Sequence, residues 1–306
     1  MNPPLPTQAQ VDEWLLNLSN WGRWGKDDQK GAVNLITPEK RVEAARLVRS
    51  GRIVSLARPL ATAPAPENRQ PVEHRLKYFY IGHFGVAVDY IGIHFHGIAN
   101  THLDALSHCW GAKGLFNARD PEKELDSKGA RWGGVEAWGD GIVTRGVLLD
   151  IPKLRGKPFV EHAEPVHGWD LEAALHAQRV ELQPGDAVCV YSGREAWAAK
   201  HGQGWGAAAP QGDVPGLHAS CLKFFRDHDV AVLVWDMMDM MPSGYSLPVP
   251  VHGAIFAYGM AFVDNALLEP LAAACAQEGR YEFNFSVAPL KLIGGTGGPI
   301  NPLAQF

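Results

Sequence analysis

Residues 96–108 read HGIANTHLDALSH, and within them His102, Asp104 and His108 set imidazole, carboxylate and imidazole two and four residues apart. In an extended segment alternate side chains share a face, so His102 and Asp104 point toward one ion while His108 reaches it from the following turn. The donors are nitrogen and carboxylate oxygen with no thiolate, a set that suits zinc, manganese or iron(II) at a catalytic site better than a closed structural zinc site. The alternative is a polar turn whose side chains are satisfied by solvent or backbone. Clustering weighs against it, because His94 and His96 lie immediately upstream.

The remainder of the chain narrows the class. With 306 residues and 46% hydrophobic content there is ample material for a core. A net charge of -5 and a pI near 6.2, with no long Lys/Arg run, offer no footprint for nucleic acid. The N-terminus MNPPLPTQAQVDEW has neither a basic start nor an apolar h-region, and no stretch approaches the roughly 18 apolar residues of a membrane span. A cytoplasmic location without membrane contact is expected. Cys109, Cys189, Cys221 and Cys275 form no CxxC pair, so neither a thiolate metal site nor a disulfide framework is indicated. Cys109 adjoins His108, but no second motif marks it as a nucleophile.

Thr37 and Pro38 open a predicted helix as N-cap and first helical residue, with Gly51 closing it, and residues 53–60 read as a strand. LATAPAPENRQP (60–71) is a surface loop or flap. Residues 86–96 (VAVDYIGIHFH) are strand-like and carry the first histidines at their end. GVLLDI (146–151), AVCVY (187–191) and VAVLVW (230–235) read as strands buried on both faces, with predicted helices over 170–178 and 217–228. This alternation predicts an α/β domain with a central mixed sheet. Asp236 and Asp239 in WDMMDMM, past the end of a buried strand, either orient a ligand histidine or cap a helix. GGTGG (294–298) lacks the lysine of a phosphate-binding loop and reads as a tight turn.

HGIANTHLDALSH resembles the HxGTHxDxPxH signature of the cyclase-like metal-dependent hydrolases, which include bacterial kynurenine formamidase, isatin hydrolase and trans-dienelactone hydrolase. WGRWGKDDQKGAVNLITP (21–38) is similar to the N-terminal segment of the family's longer branch, PVPVH (248–252) leading to Asp264 resembles its second block, and APLKLIGGTGGPINPLA (288–304) its closing strand and loop. The resemblance implies a swivelling β/β/α-type fold, one domain over 1–306 with 1–50 as an extension walling the active site, and a homodimer or higher homo-oligomer. It also implies His252 and Asp264 as further metal residues, and Trp24, Asn34 and Trp110 as the wall against a flat substrate.

Two positions depart from the signature: Ile98 stands where the family has its first histidine, and Asn100 where it has a glycine. A ligand is therefore lost or relocated, and His96 replaces it if residues 97–100 form a bulge. The implied chemistry is hydrolysis of an amide, lactam or lactone in a small cyclic or aromatic compound by water activated on zinc or manganese, with His108 as general acid/base. Lactonase rather than amidase activity is one alternative. Loss of catalysis at Ile98, leaving a small-molecule binding protein, is another.

Overall fold

Apolar runs without alternation belong in strands covered on both faces, and the centre of this protein is built from four of them. The computed structural model describes residues 3–207, 209 and 212–306. Its strands are β1 (Ile53–Ser55), β2 (Glu73–Ile81), β3 (Phe84–Gly92), β4 (His102–Asp104), β5 (Leu125–Asp126), β6 (Gly129–Ala130), β7 (Ile142–Asp150), β8 (Ala187–Tyr191), β9 (Val232–Trp235), β10 (Ala261–Asp264), β11 (Glu282–Val287), β12 (Gly297–Pro299) and β13 (Leu303–Gln305). The helices are α1 (Gln8–Asn17), α2 (Pro38–Ala45), α3 (Pro121–Glu124), α4 (Ile151–Arg155), α5 (Gly168–Gln178), α6 (Arg194–His201), α7 (Cys221–Asp227), α8 (Gly253–Tyr258) and α9 (Glu269–Glu278).

One sheet of nine strands runs in the order β1-β13-β11-β7-β8-β9-β10-β4-β12. Strands β7 through β10 are parallel neighbours, every residue of β8, β9 and β10 is buried, and antiparallel strands flank them on either side. This is the mixed α/β sheet expected from the alternating pattern. Beneath it, Asp186 is fully buried between Lys40 of α2 and Arg145 of β7, with contacts of 2.5 and 2.6 Å. That pair of ion contacts fastens a helix to the sheet from inside the core.

Several elements differ from the sequence reading. Thr37 caps α2 through the backbone N–H of Lys40, but the helix stops at Ala45, and the strand at 53 ends at Ser55. Residues 86–96 do not enter the central sheet. Instead β2 and β3 pair only with one another, as a hairpin with nearly every residue exposed. The mixed character of the sheet comes from β4 and β11–β13. Among the described residues, no helix is long and apolar enough to cross a membrane.

Removing one partner of a buried ion pair strands the other charge in the core, at a cost of about 3–5 kcal/mol. Asp186→Ala is therefore expected to lower the urea midpoint by an amount corresponding to that loss; a shift under about 1 kcal/mol would show that Lys40 and Arg145 find water instead.

Candidate metal centre

Strand β4 lies between β10 and β12, and its register sets the site. His102 is directly opposite Asp264, and Asp104 is directly opposite Gly297. Directly opposed residues share a face of the sheet, so the two carboxylates and His102 converge. His102 donates from Nδ1 to the Asn100 carbonyl at 2.9 Å, which leaves Nε2 facing Asp104 at 3.4 Å and Asp264 at 3.9 Å. His252, just before α8, donates from Nδ1 to Asp239 at 2.6 Å and turns Nε2 toward Asp264 at 3.2 Å. Both rings thus have their tautomer held by an acceptor behind them, the arrangement that orients metal-binding histidines.

The two aspartates of WDMMDMM divide the alternatives between them. Asp239 orients His252. Asp236 accepts the backbone N–H groups of Ser192, Gly193 and Arg194 at 2.8, 2.9 and 3.1 Å, satisfying donors at the start of α6.

His96, and not residue 98, turns toward Asp104. Its Nδ1 lies 2.9 Å from Asp104, while its Nε2 is within hydrogen-bonding distance of Thr296 at 3.0 Å. The intervening loop makes this possible. Gly97 adopts φ +139, Asn265 donates to the carbonyls of Gly97 and Asn100, and Arg194 donates to the carbonyl of Ile98. Arg194 is itself buried, lies over the Trp205 ring at 4.8 Å and donates to the Asn265 side chain at 2.7 Å. The Ile98 side chain turns the other way and fills the space where a Cβ on Gly206 would sit. At Gly297 a Cβ would meet the His96 ring at 2.8 Å, so the terminal glycines admit this histidine to the site.

The site residues form two three-donor groups, His96/His102/Asp104 and Asp104/His252/Asp264, whose donor atoms all lie within 4.8 Å of one another in each group. Asp104 belongs to both. It is fully buried, and its oxygens are met only by imidazole nitrogens: His96 Nδ1 stands 2.9 Å from one of them without the alignment of a full hydrogen bond. A buried carboxylate with unpaired oxygens is strongly unfavourable unless positive charge meets it. Nitrogen and carboxylate donors around such a gap fit a divalent cation.

Electrostatics follow the same logic. Burial opposes charge on His102, but Asp104 and Asp264 overcome it and raise its pKa to about 9. Burial pushes His108 down to about 4, despite Asp104 at 3.7 Å. His108 stacks on His96 with ring centroids 3.9 Å apart. The Cys109 thiol is pushed by burial up to about 12, which argues against a thiolate nucleophile.

A cavity of about 230 Å³ opens beside the cluster, lined by His108, Cys109, Trp110, Leu247, His252 and Phe256 among others. Trp110 thus stands at the site. Trp24 and Asn34 do not line this cavity: Trp24 packs under the Arg23 guanidinium at 5.0 Å, and the Asn34 amide is taken up by Asp28 and the Gly31 carbonyl. Sequence reasoning misses Arg194 and Asn265, which bond the carbonyls of the 97–100 loop, and Thr296, which meets His96, because each acts from a distant part of the chain. Asn265 adjoins Asp264, and Thr296 lies within the GGTGG turn.

The Cyclase family model matches residues 54–240, more than half of the chain. The chain belongs to the Cyclase family. A protein described as a novel cyclase is similar over 95% of this chain and 99% of its own, at 32% identity and a TM-score of 0.84. An isatin hydrolase bound to the product analogue thioisatinate aligns over 88% of this chain and 98% of its own, at 17% identity and a TM-score of 0.58. Isatin hydrolase A from Labrenzia aggregata aligns over 83% and 93%, at 17% identity and a TM-score of 0.55. These last two likenesses concern the fold. No curated protein matches the sequence.

Carboxylates that orient ligand histidines typically contribute about 10–100-fold in metal affinity. Asp239→Asn is expected to weaken zinc or manganese binding by that factor in a chelator-competition titration, and unchanged affinity would remove Asp239 from the site.

Proposed function

We propose that the chain is a metal-dependent hydrolase that opens an amide, lactam or lactone bond in a small cyclic or aromatic compound. The observation that carries this reading is the buried Asp104 carboxylate, without hydrogen bonds, toward which His96, His102 and His108 turn, with Asp264 and His252 completing the second donor group. His96, His102, Asp104, His252 and Asp264 would hold the cation, zinc or manganese by their donor chemistry. When bound, it supplies Lewis acidity that brings the pKa of water toward neutrality and polarises the scissile carbonyl. His108 faces the cavity, held by its stacking on His96, and takes the proton of the attacking water before passing it to the leaving nitrogen or oxygen. Trp110, Leu247 and Phe256 exclude bulk water from the reacting bond.

The position of His96 favours catalysis over a binding protein disabled at Ile98. A cytoplasmic setting belongs to this reading and is supported by four free cysteines, three of them buried. So does self-association. The β2–β3 hairpin exposes nine large apolar side chains, with Tyr78 at 75% and Tyr80 at 72%, and a lone two-stranded hairpin is marginal in water. Pairing such hairpins between two copies would cover on the order of 2,000 Å², the scale of a stable interface.

Chelation is expected to abolish hydrolysis, and parallel assays on N-formylkynurenine, isatin and a dienelactone to identify the bond. His108→Ala should lower kcat by about 10²–10⁴-fold with metal retained; loss of the metal would make His108 a ligand. Light scattering should give a dimer or larger, and a monomer for the Tyr78→Lys/Tyr80→Lys double variant. A monomeric wild type at micromolar concentration would refute the self-association.

A further inference from the structure

The cavity beside His108 and His252 does not stand alone. Two of its wall residues, Leu247 and Phe256, also wall a second and larger chamber of about 490 Å³, completed by Asp12, Leu15 and Leu16 of α1, by Trp21, by residues 111–114 and by Ser246. The two spaces adjoin across those shared side chains. Glycines allow the close packing that shapes them: a Cβ on Gly111 would meet the Phe256 ring at 2.7 Å, and one on Gly253 would meet Leu15 at 2.7 Å. Helix α1 therefore closes directly over the residue that follows His252.

The chemistry of the larger chamber is lopsided. Its walls are leucine and aromatic carbon, and its charged side chains, Asp12 and Lys113, are exposed and of opposite sign. Such a space gains little from a charged occupant and much from an apolar one. On the far side of Val249, which also lines the small cavity, a third cleft of about 410 Å³ runs along residues 94–100 with Glu67 and Arg69 in its wall. The small cavity thus borders two different surroundings, one almost wholly apolar and one that mixes apolar side chains with Glu67 and Arg69.

We infer that the 490 Å³ chamber is a subsite of the catalytic centre that receives an apolar extension of the substrate, an alkyl chain or second ring attached to the group being hydrolysed. This rests on the hydrolase reading above and adds a substrate class to it. The scissile carbonyl sits at the histidines, the extension passes Leu247 and Phe256, and α1 forms the end wall.

Alkyl hydroxamates test this, since the hydroxamate group chelates a divalent ion and carries a tail of chosen length. Affinities of the zinc-loaded protein are measured by calorimetry for acetohydroxamate, butyrohydroxamate, hexanohydroxamate and octanohydroxamate. The expected gain is about fourfold per added methylene. In Leu16→Arg, with folding checked by circular dichroism, the gain per methylene should fall to near unity, because the tail meets a charge on the chamber wall. If acetohydroxamate binds but lengthening it changes nothing, the chamber is not a subsite. A full gain retained in Leu16→Arg places the tail elsewhere and also overturns the inference. Failure of acetohydroxamate itself to bind overturns the hydrolase reading, and this inference with it.

Discussion

A single carboxylate organises this molecule around itself. Asp104 is fully buried, neither of its oxygens accepts a well-aligned hydrogen bond, and moving an ion from water into a protein interior costs several kcal/mol even after relaxation. Positive charge must answer it. The surroundings bring imidazoles within reach of it: β4 is held between β10 and β12 so that His102 shares its face, the terminal glycines make room for His96, and Asp239 turns His252 inward. The sheet is therefore more than a support for the centre. Its register is what makes an otherwise unfavourable group serviceable as a ligand.

The relocated histidine shows how the geometry compensates for a changed motif. With isoleucine at 98, the fold brings an imidazole from two residues upstream to within 2.9 Å of Asp104, across a loop with an unusual backbone at Gly97. Buried donors from far along the chain stabilise that loop. Arg194 and Asn265 together bond the carbonyls of Gly97, Ile98 and Asn100, the last of which also accepts from His102. The same arginine is tied to the Asp236 carbonyl, so the start of α6, the end of β9 and the ligand loop form one unit. Family membership and a shared fold are compatible with this change because metal ligation depends on where donor atoms lie, not on which residue number supplies them.

Much of the centre was legible from residue types alone. Val-rich runs identified β7, β8 and β9, since strands covered on both faces have no polar residues to alternate with. The HxD spacing identified His102 and Asp104, because alternate residues of a strand share a face. Residues 86–92 form the strand that their composition suggests, but they pair only with β2 and stay exposed. Composition reports what a strand could bury, and only packing reveals whether anything covers it.

The amino-acid order by itself determined the local facts: which segments extend, which residue caps α2, and which side chains offer nitrogen or carboxylate oxygen to a cation. Tertiary structure alone decided that His96 rather than residue 98 turns toward Asp104, that Asp239 serves a histidine while Asp236 serves a helix, and that α1 closes a chamber beside the site. The reason is distance along the chain. Periodicity and spacing act within a few residues, whereas these choices are set by contacts from 8 positions apart, as between His96 and Asp104, to 238 apart, as between Leu15 and Gly253.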